Sequence, residues 1–243
     1  IDNDGGEFNF SILPSSGVQG EVLDNELQYI SGSATSGIYK GSEQVAEAAA
    51  NITYTHKPET SLDANGGVTV LTDIDTGVKF REFNLVLAEG SGATVDIQDF
   101  DLKTLTSTVN MRIDEGTNPL VKIALGGVYD HDKKDFTGSG TAELLRQVCV
   151  AQNVGPRGYS FYLEPASGMR ADVTNNKLER AEGTLAASVH DPKGQFLTVG
   201  AKGTYSKNDD GDTLSIEGAM LVTRETHMLD AAGYGLYLIP GEA

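Results

Sequence analysis

The sequence predicts an all-β protein, an antiparallel, hairpin-rich sandwich and/or up-and-down barrel with one or two short helices. Three observations carry that expectation. Apolar residues recur with a period of two, turn signals interrupt the runs at short intervals, and 29 glycines accompany 39% apolar residues in a chain of 243. That length suits one large β domain or two small ones.

Taken in order, Asp2 to Gly6 reads as a frayed end. Ser42 to Ala50 predicts a first short helix, with Ser42 as its cap and an alanine-rich body. Asn65-Gly66-Gly67, Asp75-Thr76-Gly77, Glu89-Gly90-Ser91-Gly92, Asp114-Glu115-Gly116 and Asn208-Asp209-Asp210-Gly211 supply turn chemistry. Apolar parity slips twice, from Val78 and Phe80 to Phe83, Leu85 and Leu87, and from Val95 and Ile97 to Phe100 and Leu102. A slip without a turn predicts a β-bulge.

From Thr104 to Ile113 a half-buried strand is expected, with Leu105, Val109, Met111 and Ile113 on one face and Thr106, Thr108, Asn110 and Arg112 on the other. Val121, Ile123 and Leu125 share a face by the same arithmetic. So do Leu185, Ala187 and Val189, and then Leu197, Val199, Ala201 and Tyr205. Thr141 to Gln152 predicts a second helix, with Leu144, Leu145, Val148 and Cys149 spaced as a helical face and Asn153 to Gly158 as its stop. The expected organisation is a β-rich lobe over 1–140, a helix and linker over 141–158 and a β meander over 159–243, with a single domain as the alternative. No exact long repeat is visible; Gly183-Thr184-Leu185 and Gly203-Thr204-Tyr205 share only strand-opening chemistry.

Eighteen basic residues against thirty-five acidic ones give a net charge of −17, which repels a phosphate backbone and excludes nucleic acid as a partner. No apolar run reaches the ~20 residues of a transmembrane helix, and the opening at Ile1 lacks a signal-peptide pattern, so a processed soluble protein is expected. The one cysteine, Cys149, has no intrachain partner.

Chemistry-bearing residues are sparse. Gly138-Ser139-Gly140 lacks the outer framework of a nucleophile elbow. Asp130, His131, Asp132 and Asp135 put an imidazole and three carboxylates within six residues, a candidate site for a divalent cation, although Lys133 and Lys134 compete for those carboxylates. Ser206 to Glu217 matches part of a calcium loop but has serine at its first position. His56, His190 and His227 are candidate cofactor ligands, with haem in view, and Tyr159, Phe161, Tyr162, Tyr234 and Tyr237 are aromatic partners for such a pocket. The absence of tryptophan weighs against a carbohydrate platform.

The segment Phe136-Thr137-Gly138-Ser139-Gly140-Thr141-Ala142-Glu143 and the general style of Gly183 to Leu238 resemble the strand openings of transferrin-binding-protein-like β-barrel surface proteins and secreted haemophores. The closing strand common in those barrels is not evident at Tyr234 to Ile239. The resemblance implies an N-terminal ligand-gripping lobe, a C-terminal barrel, and haem or a host protein as ligand. The expected function is therefore a non-enzymatic, secreted or cell-surface binding protein, bacterial in style, gripping a small ligand or a protein partner through loops. The alternative is a self-assembling structural protein, such as a phage tail or surface-layer component, whose edge strands pair with copies of itself. A β-sandwich hydrolase or lyase ranks third.

Overall fold

The computed structural model describes residues 8–56, 59–155, 157–208, 211–231 and 234–241. Among them are nineteen strands and no helix, and the ladders are antiparallel. The first strands are β1 (Phe8–Ile12), β2 (Gly17–Leu23), β3 (Glu26–Lys40), β4 (Glu43–Thr55), β5 (Ser61–Val70) and β6 (Ile74–Phe80). Then follow β7 (Phe83–Leu87), β8 (Gly92–Gln98), β9 (Asp101–Glu115), β10 (Asn118–Asp130), β11 (Asp135–Leu144) and β12 (Val148–Val154). The last are β13 (Tyr159–Leu163), β14 (Gly168–Thr174), β15 (Lys177–Asp191), β16 (Gly194–Asn208), β17 (Gly211–Val222), β18 (Thr226–Ala231) and β19 (Tyr234–Leu238).

The chain divides into two compact units. One comprises Ile1–Thr117, Ile123–Gly140 and Val173–Lys177, the other Asn118–Lys122, Thr141–Asp172 and Leu178–Ala243. In the first, β3 pairs along one edge with β4 and along the other with β1 and β2 in succession. The ladder continues from β4 to β5, from β5 to β8 and from β8 to β9, while β6 pairs with β7 and β7 with β9. In the second unit β12 pairs with β13, β13 with β15, β15 with β16 and β16 with β17; β18 and β19 form a separate hairpin.

Neither expected helix forms. Ser42 is in the β3–β4 turn, and Ala46, Ala48 and Ala50 are in β4, each directly opposed by a residue of β3 and one of β5. Two ladders outweigh the few tenths of a kcal/mol per residue by which alanine favours a helix. Thr141 to Gln152 is the end of β11 and most of β12. Leu145 breaks the strand there by donating its N–H to the Leu120 carbonyl at 2.8 Å, so the apolar spacing marks an interrupted strand.

Turn readings also change. The first parity slip is a two-residue hairpin, Arg81-Glu82, between the opposed Phe80 and Phe83. The second combines the Asp99-Phe100 hairpin with a register shift after Asp96. Arg81 and Phe100 both adopt left-handed φ, of 56° and 69°, a role that composition assigns to glycine or asparagine. Asn65-Gly66-Gly67 is no turn but the middle of β5. A Cβ at Gly67 would fall 2.8 Å from the Ala93 carbonyl, so the glycine serves close backbone approach.

A repeat of 75 to 76 residues governs the whole arrangement. In β1–β2, β7–β8 and β13–β14 a strand is broken by a four-residue jog, and in the first two it lies opposite two residues of the next, unbroken strand, Ala34-Thr35 and Val109-Asn110. Leu13, Ala88 and Glu164 open the jogs, each donating an N–H at 2.8 Å to the carbonyl of Thr35, Asn110 and Ala186 respectively. Ser16, Ser91 and Ser167 close them. Each serine hydroxyl accepts the N–H of that same opposed residue at 2.9 Å and lies 3.0–3.2 Å from its carbonyl. The hydroxyl thus replaces the ladder bonds that the jog removes.

Two residue turns follow at the same interval, Asp24-Asn25, Asp99-Phe100 and Asn175-Asn176, all with positive φ. Val45, Leu120 and Phe196 form a third matched set. All three are buried, and their carbonyls accept the N–H of Leu71, Leu145 and Thr223 at 2.8 Å. Val45 and Phe196 are bulge residues without a partner in the β3–β4 and β15–β16 registers. The chain therefore carries three copies of one unit, and Tyr234-Gly235-Leu236 restarts the pattern of Phe8-Asn9-Phe10, Phe83-Asn84-Leu85 and Tyr159-Ser160-Phe161. The repeat is structural: jog, turn and bulge recur while residue identities drift.

The buried residues gather at these interruptions: Val45, Ala46, Val70, Val86, Leu120, Val189 and Phe196, with Ser91, Ser167 and Asp114. Arg112 joins two of the features. It donates to both Asp114 carboxylate oxygens, at 2.7 and 2.9 Å, and to Asp73 at 2.6 Å, tying the β5–β6 break to β9. The Glu89 N–H, and then Arg112, hold the Asp73 carboxyl below its ordinary pKa against the opposing effect of burial. The stabilisation is present above the unfolded value of about 3.9 and is lost as pH falls through the lower folded value. Urea unfolding should accordingly show a smaller drop in stability between pH 7 and pH 3 for Asp73→Asn than for the unaltered protein.

Candidate binding surface

Strand register sorts the side chains of the first unit into two unlike faces. Val18, Gly20, Ile30, Gly32, Ala34, Ala48, Ala50, Ile52, Tyr54, Leu62, Ala64, Gly66, Val68, Ala93, Val95, Ile97 and Leu105 fall on one. Ser36, Ser107 and the Tyr54 hydroxyl add polarity there, and Lys40 and Glu115 stand on the same side at the strand ends. The other face carries Gln19, Ser31, Ser33, Asn51, Thr53, Asp63, Asn65, Thr94, Asp96 and Thr104, and it is joined by side-chain bonds such as Asn51 Nδ2 to Asn65 Oδ1 at 3.0 Å.

The second unit repeats the division. Ala181, Gly183, Leu185, Ala187 and Val189 oppose Tyr205, Gly203, Ala201, Val199 and Leu197, which in turn oppose Leu214, Ile216, Gly218, Met220 and Val222. The expected faces through Leu185 and Leu197 are thus present and continuous across three strands. On the reverse, Glu182 receives Arg180 and Lys202, both at 2.7 Å, and those two cations, Lys202 first, lower its pKa.

An apolar sheet face is ordinarily covered by another layer. Here it stays open: Ile52, Val68 and Leu105, each flanked by strands on both sides, retain 38–49% of their accessible surface, and Leu185, opposite the β13–β14 jog, retains 46%. Within the face of each unit small residues sit side by side on neighbouring strands. Ala34, Ala50 and Gly66 align across β3, β4 and β5, and Gly183 with Gly203 across β15 and β16. A Cβ built on Gly183 or Gly203 meets nothing within 4 Å. Glycine inside a strand costs stability, and no packing in the protein requires it at these two positions. In the second unit the two glycines lower the surface between larger side chains, and this strip across β15 and β16 is the candidate trough.

No histidine is among these face residues, and His56 stands at their margin, beside Tyr54. His56 is exposed after β4, its Nδ1 3.3 Å from the Tyr54 hydroxyl, and its N–H donates to the Gln28 carbonyl at 2.9 Å. His131 occupies the matching place one repeat later, beside Tyr129 and bonded through its N–H to the Lys103 carbonyl. His190 Nε2 is 3.0 Å from the Ser188 hydroxyl, which also donates to Glu164, and its ring centre is 4.5 Å from that of Tyr162. His227 stacks on Tyr237 at 4.6 Å and has Arg157 Nη1 2.9 Å from its Nδ1.

In the β10–β11 turn, Lys133 bonds Asp130 at 2.7 Å and lowers its pKa, while Lys103 bonds Asp132 at 3.2 Å. Among the described residues no three histidine, cysteine or carboxylate side chains converge as a metal-binding group. The calcium-like stretch Ser206 to Glu217 is the β16–β17 hairpin; Asp209 and Asp210 lie outside the described residues. Ser139 and Cys149 are exposed strand residues. No described helix is long and apolar enough to cross a membrane.

Sequence reading points to loop residues and not to this face, because alternating apolar residues signal a core. The usable signal was the excess of glycine and alanine on that face. No family model, curated protein or solved structure matches the chain.

Proposed function

We propose that this is a non-enzymatic binding protein that takes an elongated apolar ligand, such as an unbranched hydrocarbon chain, on its apolar sheet face. The observation behind this reading is the open trough floored by Gly183 and Gly203, on a face that is uncharged from Ala181 to Val189 and from Leu197 to Tyr205, with Lys207 and Asp212 only at its hairpin end. Exposed contiguous apolar surface of this extent marks an interaction site in a soluble protein. A narrow chain can lie against a glycine floor where a bulky side chain cannot, and its burial contributes about 0.8 kcal/mol per methylene. The scaffold supplies shape and dryness, and no reacting group lies on the face. A secreted or cell-surface location accompanies this reading, supported by the acidic, glycine-rich composition.

Fluorescence titration with the neutral probe N-phenylnaphthylamine tests it. Saturable binding, displaced by a long-chain alcohol and not by a short one, is the expected result. An absence of saturable binding would refute the proposal.

A further inference from the structure

The repeat assigns a partner to two strand edges. Between successive copies of the unit, the last long strand of one receives the second strand of the next: β5 receives β8, and β11 receives β14. The third such strand is β17, and the first receivable strand is β2. Both have the exposure of edges. Leu214, Ile216 and Met220 of β17 and Val18 and Val22 of β2 retain 65–76% of their surface, well above same-face residues that have neighbours on both sides. β17 pairs with β16 and β2 with β3 in their own units, and nearly every residue of both strands is exposed.

We infer that the chain assembles head to tail, β17 of one copy pairing antiparallel with β2 of the next in the register that β5 and β8 use. That ladder opposes Val68 to Ala93, Gly66 to Val95 and Ala64 to Ile97. Carried over by the matched Leu71 and Thr223, and by Ser91 and Ser16, it opposes Met220 to Val18, Gly218 to Gly20 and Ile216 to Val22 of the next copy. The apolar face runs unbroken through the joint, and small residues meet at its centre. Because β5–β8 is a ladder this fold already forms, the edges are complementary in twist and side-chain pattern. A heterologous joint of this kind does not close on itself and gives open multimers. The incoming β1 is equivalent in the repeat to β19, which already pairs with β18, so the joint runs along β17 and β2 alone.

Charge opposes the assembly. Each copy carries −17, and Glu217 faces Glu21 of the next, so added salt should favour it. The test is cross-linking of the full chain in a Cys149→Ser background. Val18→Cys with Met220→Cys should give a ladder of disulfide-linked multimers. Gln19→Cys with Met220→Cys, on opposite faces, should not. Sedimentation of the unaltered chain should show larger species as protein and salt concentration rise. A link formed only within single chains would mean that β17 closes on β2 of its own copy and would overturn the inference. So would equal linking by both pairs, or a monomer under all conditions.

Discussion

Phe196→Ala should destabilise the second unit by about 3–5 kcal/mol, the range found for removing a fully buried aromatic side chain. Phe196 is 1% exposed, the lowest value among the buried apolar residues described, and its ring centre lies 5.7 Å from that of Tyr159. It occupies a bulge, so no neighbouring strand residue can slide into the space, and its carbonyl is fixed by Thr223. The cavity left by truncation would therefore persist. Leu197, next in sequence, points to the half-open apolar face, and Leu197→Ala should cost well under half as much. Urea unfolding of both variants decides the matter; equal losses would show that the bulge is not where this unit keeps its core.

That pair of residues also shows what could be read from the sequence. Strict alternation placed Leu197, Val199, Ala201 and Tyr205 together, and the ladder places them together. It had no place for Phe196, because a bulge inserts a residue against the period and turns its side chain toward the interior. The strand containing Leu105, Met111 and Ile113 was legible for the same reason, since its pairing with β7 and β8 keeps the period across the jog.

The 75-residue repeat was not legible. Its defining parts are a hydroxyl filling a gap in a ladder, a left-handed turn and a bulge, and each tolerates several residue types. Asp-Asn, Asp-Phe and Asn-Asn make the equivalent turns, and Val, Leu and Phe fill the equivalent buried positions. Ser16, Ser91 and Ser167, each followed by glycine, are the constant letters, too few to stand out in a chain with 29 glycines. The alanines of β4 misled in the opposite direction, since small side chains that favour a helix are equally what a trough floor requires. For the site, the tendency to assign chemistry to histidine and carboxylate clusters drew attention to turns in which those groups are bonded to neighbouring residues, among them Tyr54, Lys103 and Lys133.

Gly203→Val should abolish binding of the apolar probe while leaving the protein at least as stable as before. The backbone at Gly203 lies outside the left-handed region, and a Cβ there meets nothing within 4 Å, so valine fits without strain. A β-branched residue in place of a strand-interior glycine should add about 0.5–1 kcal/mol. The same side chain would stand on the floor of the trough beside Gly183 and Ile216, where a ligand has to lie. Gly200→Val supplies the control. It is three residues away in the same strand, equally unobstructed, and opposed by Ala186 and Ala219 on the reverse face. It should raise stability similarly and leave the titration unchanged. A tenfold or greater loss of affinity confined to Gly203→Val, about 1.4 kcal/mol or more, would locate the ligand on the apolar face. Equal titrations for the two variants would place any binding elsewhere, since the substitutions differ only in the side of the sheet on which the new methyl groups stand.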